Sequence, residues 1–314
     1  MSRNSSDHNT EAMPLFGLVL VAVLVLLWGS NFPAMKLGLS EIAPFTFRTI
    51  SNAIAAIGLL CIGVLIMREP FAIPRQDFWP VVAAGMLNIA GWQLFLTFGL
   101  LEIDAAKAVI IAYTMPLWAA FLARFFLKEK LSVVRLLGIV FGISGVLVLN
   151  IGKLDGSMLS VRGVLLVLAA ALCWAGGTVA IKMHRWRLST IMLTAWQVAV
   201  GTVPMVIGMA VMEDPTDIRT ASLPAIGGML YTAIIAMVIC HWTWYSLLRL
   251  VPAAVAAAST LAIPISGVYM SALVLGEQVG WREVTALTLV ITGLFFVLVW
   301  PFLRERLSRL RIEQ

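Results

Sequence analysis

Few side chains in this sequence can do chemistry, and those that can lie inside long apolar runs. His241 opens the run His241-Trp242-Thr243-Trp244-Tyr245, in which His241 and Tyr245 share a helix face at i, i+4. That face either lines an aqueous cavity and hydrogen-bonds a solute, or His241 pairs with a neighbouring helix while Trp242 and the other aromatics form an interfacial belt. Asn88 and Trp92 share a second face, with Gln93 beside them. Two amides at membrane depth must face water or protein, so they line a cavity or join helices. Trp28 with Asn31 at i+3, and Trp174 with Thr178 at i+4, sit too deep for a belt. They read as cavity wall or as packing core. Lys107, one turn into its helix, either snorkels to the interface or attracts a carboxylate, and Arg48 has the same two readings. Lys36 and Lys182 are expected to snorkel.

The chemistry open to such a set is reversible binding of a small solute. None of the 16 acidic residues falls at a helix centre. Buried carboxylates are the usual proton carriers and sodium ligands of membrane proteins, so a pump driven by Asp or Glu is disfavoured and intramembrane aspartyl proteolysis is excluded. There is no HExxH, the three histidines are scattered, and Cys61, Cys173 and Cys240 each sit within an apolar run. No catalytic residue, metal site or cofactor is expected, and the chain is not read as an enzyme.

The elements that position these residues follow from composition. The chain is 61% hydrophobic and 12% charged, with a mean hydropathy of +0.97. Soluble domains carry about 25% charged residues. Apolar runs of about 20 residues suffice to cross the hydrocarbon core. They predict helices over roughly 14–36, 43–67, 78–99, 104–127, 133–150, 161–182, 189–211, 223–247, 253–275 and 281–302. Residues 1–13 form a polar tail, and 303–314 a basic one. The first helix shows no small-residue cleavage site and is expected to stay in the mature protein. The net charge of +6 resides in short caps between apolar runs, so nucleic acid is not an expected partner. Fifteen Lys and Arg fall on the side of the N-terminus and six on the other, Arg48 being left out as intramembrane. The positive-inside rule then puts both termini in the cytoplasm.

The sequence also matches itself. Trp28, Ala34 and Lys36 align with Trp174, Ala180 and Lys182 at an offset of 146. Pro116, Leu127, Glu129 and Gly145 align with Pro264, Leu275, Glu277 and Gly293 at an offset of 148. Each half (14–150 and 161–302) then holds five helices. Five is odd, so the second half must enter from the opposite face. The expected fold is an all-α membrane protein of ten transmembrane helices, a 5+5 inverted repeat around a central cavity. Such repeats characterise secondary transporters. Pro116 and Pro264 lie mid-helix at matched positions and, with Pro33, are candidate hinges.

Two stretches carry a resemblance to a known family. Trp28-Gly29-Ser30-Asn31-Phe32-Pro33-Ala34-Met35-Lys36 resembles the first helix of EamA-type transporters of the drug/metabolite transporter superfamily. The run from Ala106-Lys107-Ala108 through Tyr113-Thr114-Met115-Pro116 to Leu127-Lys128-Glu129-Lys130 resembles the fourth helix and its exit, and Arg48 sits where the family often has Arg. The resemblance covers roughly residues 14–302. It implies export of small metabolites, amino acids in the subgroup most similar to this chain, across a bacterial inner membrane. Efflux of drugs or cations, or of nucleotide- or sugar-derived metabolites, is the alternative. The expected partners are a small-molecule substrate and the bilayer, with the chain acting as a monomer. Trp28, Asn31, Asn88, Trp92, Gln93, Lys107, Trp174, Thr178, His241, Trp242 and Tyr245 are the expected substrate-binding residues.

Overall fold

Lipid offers no partner to a backbone N–H or C=O, so each apolar run must satisfy its own hydrogen bonds by coiling into a helix. The computed structural model describes residues 15–150, 160–250, 256 and 258–304, all-helical apart from turns and loops among these residues. Both predicted tails, the junction between the halves and the start of the predicted ninth helix lie largely or wholly outside the described residues. So does the Tyr245 side chain.

Among the described residues ten apolar helices follow in chain order: α1 (Phe16–Leu39), α2 (Pro44–Ile66), α3 (Phe78–Glu102), α4 (Ala105–Phe126), α5 (Val133–Leu149), α6 (Val161–Met183), α7 (Thr190–Met212), α8 (Leu223–Leu248), α9 (Ala262–Leu275) and α10 (Trp281–Arg304). Eight are long and apolar enough to cross a membrane, while α5 and α9 are shorter. At 1.5 Å per residue, α1 spans about 36 Å against a hydrocarbon core of about 30 Å. Large apolar side chains such as Leu65, Leu223 and Val211 stand on the protein surface, where only lipid can cover them. The chain is a multi-pass membrane protein.

Several helices are interrupted, and the interruptions recur between the halves. A turn at Tyr113 and Thr114 divides α4 into Ala105–Ala112 and Met115–Phe126, with the Thr114 hydroxyl donating to Ile111 O at 2.6 Å. Pro116 therefore lies in the first turn of a new helix, where its missing N–H costs nothing, rather than kinking a continuous one. A turn at Thr260 and Leu261 likewise precedes α9, with Pro264 in its first turn. This break makes α9 shorter than predicted. The exits match too: Lys128 (φ 56°) and Gly276 (φ 68°), 148 positions apart, both take the left-handed conformation that ends a helix. Within α1, Ser30 separates Leu15–Gly29 from Asn31–Leu39, and Pro33 lies in the first turn of the second part. Its repeat counterpart, Val179, lies in unbroken helix. Wider π turns occupy Met86–Gly91 in α3 and Tyr231–Ile239 in α8.

Packing follows a pattern. The helix α2 lies on α7, α4 on α9, and α5 on α10, while α1 lies on α8 as α6 does on α3. Exchanging each helix for the one five places along returns these same five pairings. Small residues allow the close crossings. A Cβ on Gly293 would stand 2.5 Å from Gly138 O where α10 meets α5, and one on Gly228 would stand 2.2 Å from Ala34 O where α8 meets α1.

Candidate functional site

The break in α1 sets Trp28 against α8. Trp28 is partly buried, and its indole Nε1 donates to Ala236 O at 3.0 Å. Ala236 belongs to the π turn of α8, whose wider winding leaves carbonyls available to outside donors. The Trp28 ring meets His241 edge-on at 5.6 Å and Trp244 at 6.0 Å. Tyr231 Oη donates to Leu27 O at 2.9 Å in the same seam. A narrow crevice lined by Leu24, Trp28, Trp244, Thr260 and Ile263 leaves no room to seat a water molecule.

The structure separates Trp242 from Trp244. Trp242 is 38% exposed on the outer surface of α8, and Trp244 takes the inward place. Helical spacing is the reason: i+3 from His241 returns to its face, whereas i+1 is turned by about 100°.

Asn31, three residues after Trp28, directs Nδ2 at Met35 Sδ (3.4 Å), and its buried Oδ1 has no hydrogen-bond partner among the described residues. Asn88 lies in the π turn of α3, donates to Gln197 Oε1 at 3.2 Å, and presses on Gly177 of α6, where a Cβ would come within 2.1 Å of its Oδ1. It therefore joins α3 to α6 and α7. Gln93 is 3% exposed with Oε1 unpartnered, and Trp92 packs against the core beside it. Trp174 is partly buried without a ring partner among the described residues, and its carbonyl accepts from Thr178 Oγ1 at 2.9 Å. The Thr178 hydroxyl is thus engaged within its own helix.

The basic residues depart furthest from expectation. Lys107 is ion-paired with Asp104 and lies 3.9 Å from Glu283, so its charge is compensated within the protein. Lys36 does not snorkel. Its Nζ donates to Leu100 O and, at 2.8 Å, to Ile103 O, capping the C-terminal end of α3. Arg48 is 3% exposed, donates from Nε to Thr97 Oγ1, places Nη2 3.5 Å from Met35 Sδ, and forms no ion pair with any described residue.

The acids act at helix ends. Glu277 accepts from the Ala105 and Ala106 N–H groups at 2.7 and 2.8 Å, and Glu213 from those of Phe45 and Thr46 at 2.9 and 2.6 Å. Glu41 accepts from Ser222 N and Oγ, which hold its carboxyl below the usual range. Asp77 accepts from His184 Nε2 at 2.9 Å and from the Arg187 and Leu188 N–H groups at 3.0 and 3.1 Å. Burial alone would raise the Asp77 pKa, but these three donors outweigh it and the net shift is downward. No group of three His, Cys, Asp or Glu side chains able to hold a metal occurs among the described residues.

Interrupted apolar helices thus enclose rings, amides and the buried Arg48 in a multi-pass membrane protein. The chain belongs to the EamA-like transporter family, whose model matches residues 15–151 and again 161–299. It is 26% identical to the uncharacterized transporter YoaV of Bacillus subtilis (strain 168), over 90% of this chain and 95% of that one. It is 26% identical to a probable amino-acid metabolite efflux pump of Salmonella typhimurium, over 92% of this chain and 97% of that one. The corresponding figures for a probable amino-acid metabolite efflux pump of Escherichia coli K12 are 25%, 88% and 93%. A solved crystal structure aligns with a TM-score of 0.64 at 20% identity, covering 93% of this chain and 98% of that one, and shows the fold alone. Family and relatives are transporters, not enzymes.

Proposed function

We propose that this protein exports amino acids or closely related small metabolites across a bacterial inner membrane by alternating access between two opposed five-helix halves. The observation that carries the reading is the exchange pattern of helix neighbours, in which α2–α7, α4–α9 and α5–α10 pair with their own counterparts and α1–α8 mirrors α6–α3. An arrangement that maps onto itself when its halves are swapped can trade its inward-closed and outward-closed forms at little cost, the basis of alternating access in inverted-repeat carriers. The reading takes α5 and α9 as crossing segments, giving ten crossings with both termini in the cytoplasm. Trp28, His241 and Trp244 supply an apolar wall, and Asn31 and Gln93 supply polar contacts. The paired breaks before Pro116 and Pro264 are the points about which α4 and α9 pivot. Similarity to proteins named as amino-acid metabolite efflux pumps supports the substrate class.

The test is efflux from liposomes that contain the purified protein and are loaded with a broad amino-acid panel. Release faster than from protein-free liposomes is expected for at least one apolar amino acid. Release at the protein-free rate across the whole panel overturns the substrate class.

A further inference from the structure

The buried face of α2 carries a charge that no carboxylate among the described residues pairs with. A buried guanidinium is costly unless an anion or well-placed acceptors compensate it. Arg48 has five N–H donors. One goes to the Thr97 hydroxyl and another to the Met35 sulfur, a weak acceptor; the guanidinium carbon also stands 5.5 Å from the centroid of the Phe47 ring, and no other described residue accepts a hydrogen bond from it. Glu213, at the same end of α2, is engaged by the Phe45 and Thr46 N–H groups and forms no ion pair with Arg48. Amide groups left incomplete stand along the same seam. Asn52, one turn on from Arg48, is fully buried, with Nδ2 3.1 Å from Met205 Sδ and Oδ1 unpartnered. Gln93, one turn before Thr97 on α3, is buried with Oε1 unpartnered. Asn31 Nδ2 shares the Met35 sulfur with Arg48, and its Oδ1 is unpartnered. One cation with spare donors therefore shares the Met35 sulfur with Asn31, lies one turn from Asn52 on α2, and bonds Thr97, one turn from Gln93 on α3.

We propose that Arg48, Asn31, Gln93 and Asn52 form a headgroup subsite for a zwitterionic α-amino acid. The carboxylate takes the unspent N–H groups of Arg48 as a charge-assisted, two-point contact, and the ammonium takes the amide oxygens. Because Asn31 follows Trp28 on one helix face, the substrate side chain extends toward Trp28, His241 and Trp244. The subsite rests on the transporter reading above and narrows it. A substrate lacking either charge leaves buried groups unpaired and is rejected.

The experiment measures the melting temperature of the purified protein in detergent with phenylalanine, leucine or methionine, with phenethylamine, and with 3-phenylpropionate. Phenylalanine or another of the amino acids is expected to raise it, and the amine and the acid to do so at no less than about tenfold higher concentration, the factor that about 1.4 kcal/mol represents. Arg48→Met removes a buried charge of similar length, so it is expected to fold and to lose the amino-acid shift. Arg48→Lys keeps the charge without the planar fork, and is expected to retain only part of the shift. No shift with any amino acid, an equal shift with phenethylamine, or a full shift in either variant overturns the subsite. Liposome efflux separates the two readings. Phenylalanine flux that survives Arg48→Met unchanged overturns the subsite and spares export. A melting shift that obeys Arg48, without flux from any liposome, overturns export and spares the subsite.

Discussion

At the residue scale, polar side chains divide by depth. Those at helix ends are satisfied by backbone N–H groups of another element, as Asp77, Glu41, Glu213 and Glu277 are. Those deeper in, at Arg48, Asn52 and Gln93, keep spare capacity. Asp77 tests the first class. Its carboxyl is held below the usual range in the folded protein, so its stabilisation is fully present above the unfolded carboxylate pKa of about 4. It is lost as pH falls through the depressed folded value. The melting temperature of the wild-type protein in detergent is expected to drop on acidification below about pH 4. Asp77→Ala strands the His184, Arg187 and Leu188 donors, so it is expected to cost about 1–3 kcal/mol at neutral pH. That difference should shrink as the wild-type carboxylate protonates. A variant as stable as wild type at pH 7 would show that the contact contributes nothing.

At the element scale, helix positions were legible and helix faces were not. Apolar run lengths located nine of the ten segments to within about three residues, because an unsatisfied backbone in lipid is too costly to allow another solution, while α9 starts at Ala262, nine residues later than predicted. Which side of each segment turns inward is set by its neighbours. Arg48 stood out as an intramembrane cation, but Asn52 and Thr97 carried no signal beyond polar residues at i+4 spacing on otherwise apolar helices. Trp244 could have been preferred to Trp242 from its spacing to His241 alone. The α5–α10 crossing gives the prediction at this scale. Gly293→Leu places a side chain where a Cβ already stands 2.5 Å from Gly138 O, a backbone atom that cannot rotate away. The variant is expected to lose about 2 kcal/mol or more through overpacking, read as a lower melting temperature and an early shoulder on size exclusion. Gly293→Ala should show the same effect in smaller degree. Unchanged melting in both would mean that the crossing opens freely.

At the scale of the whole molecule, the proposed opposition of the halves makes its own prediction. Ser40 follows α1 and Arg185 follows α6, at nearly equivalent places in the repeat, and both are exposed. With the three native cysteines replaced, Ser40→Cys is expected to react with a membrane-impermeant maleimide on intact cells, and Arg185→Cys only after the membrane is opened. Labelling of both from one side would refute the inversion.

Sequence by itself determined that this chain lives in a bilayer, where its helices run, that its two halves are related, and that no catalytic or metal chemistry is to be expected of it. Those properties depend on transfer free energy summed over whole segments, which composition and period report directly. Tertiary structure alone decided which cation is spent and which is spare. Lys36 and Lys107, which lay as near the interface as Arg48 in the sequence, are answered by the end of α3 and by Asp104 with Glu283. Arg48 is left against a hydroxyl, a sulfur and the Phe47 ring. Pairing acts over a few ångströms between residues up to 176 positions apart, as with Lys107 and Glu283. Only the assembled bundle brings such partners together.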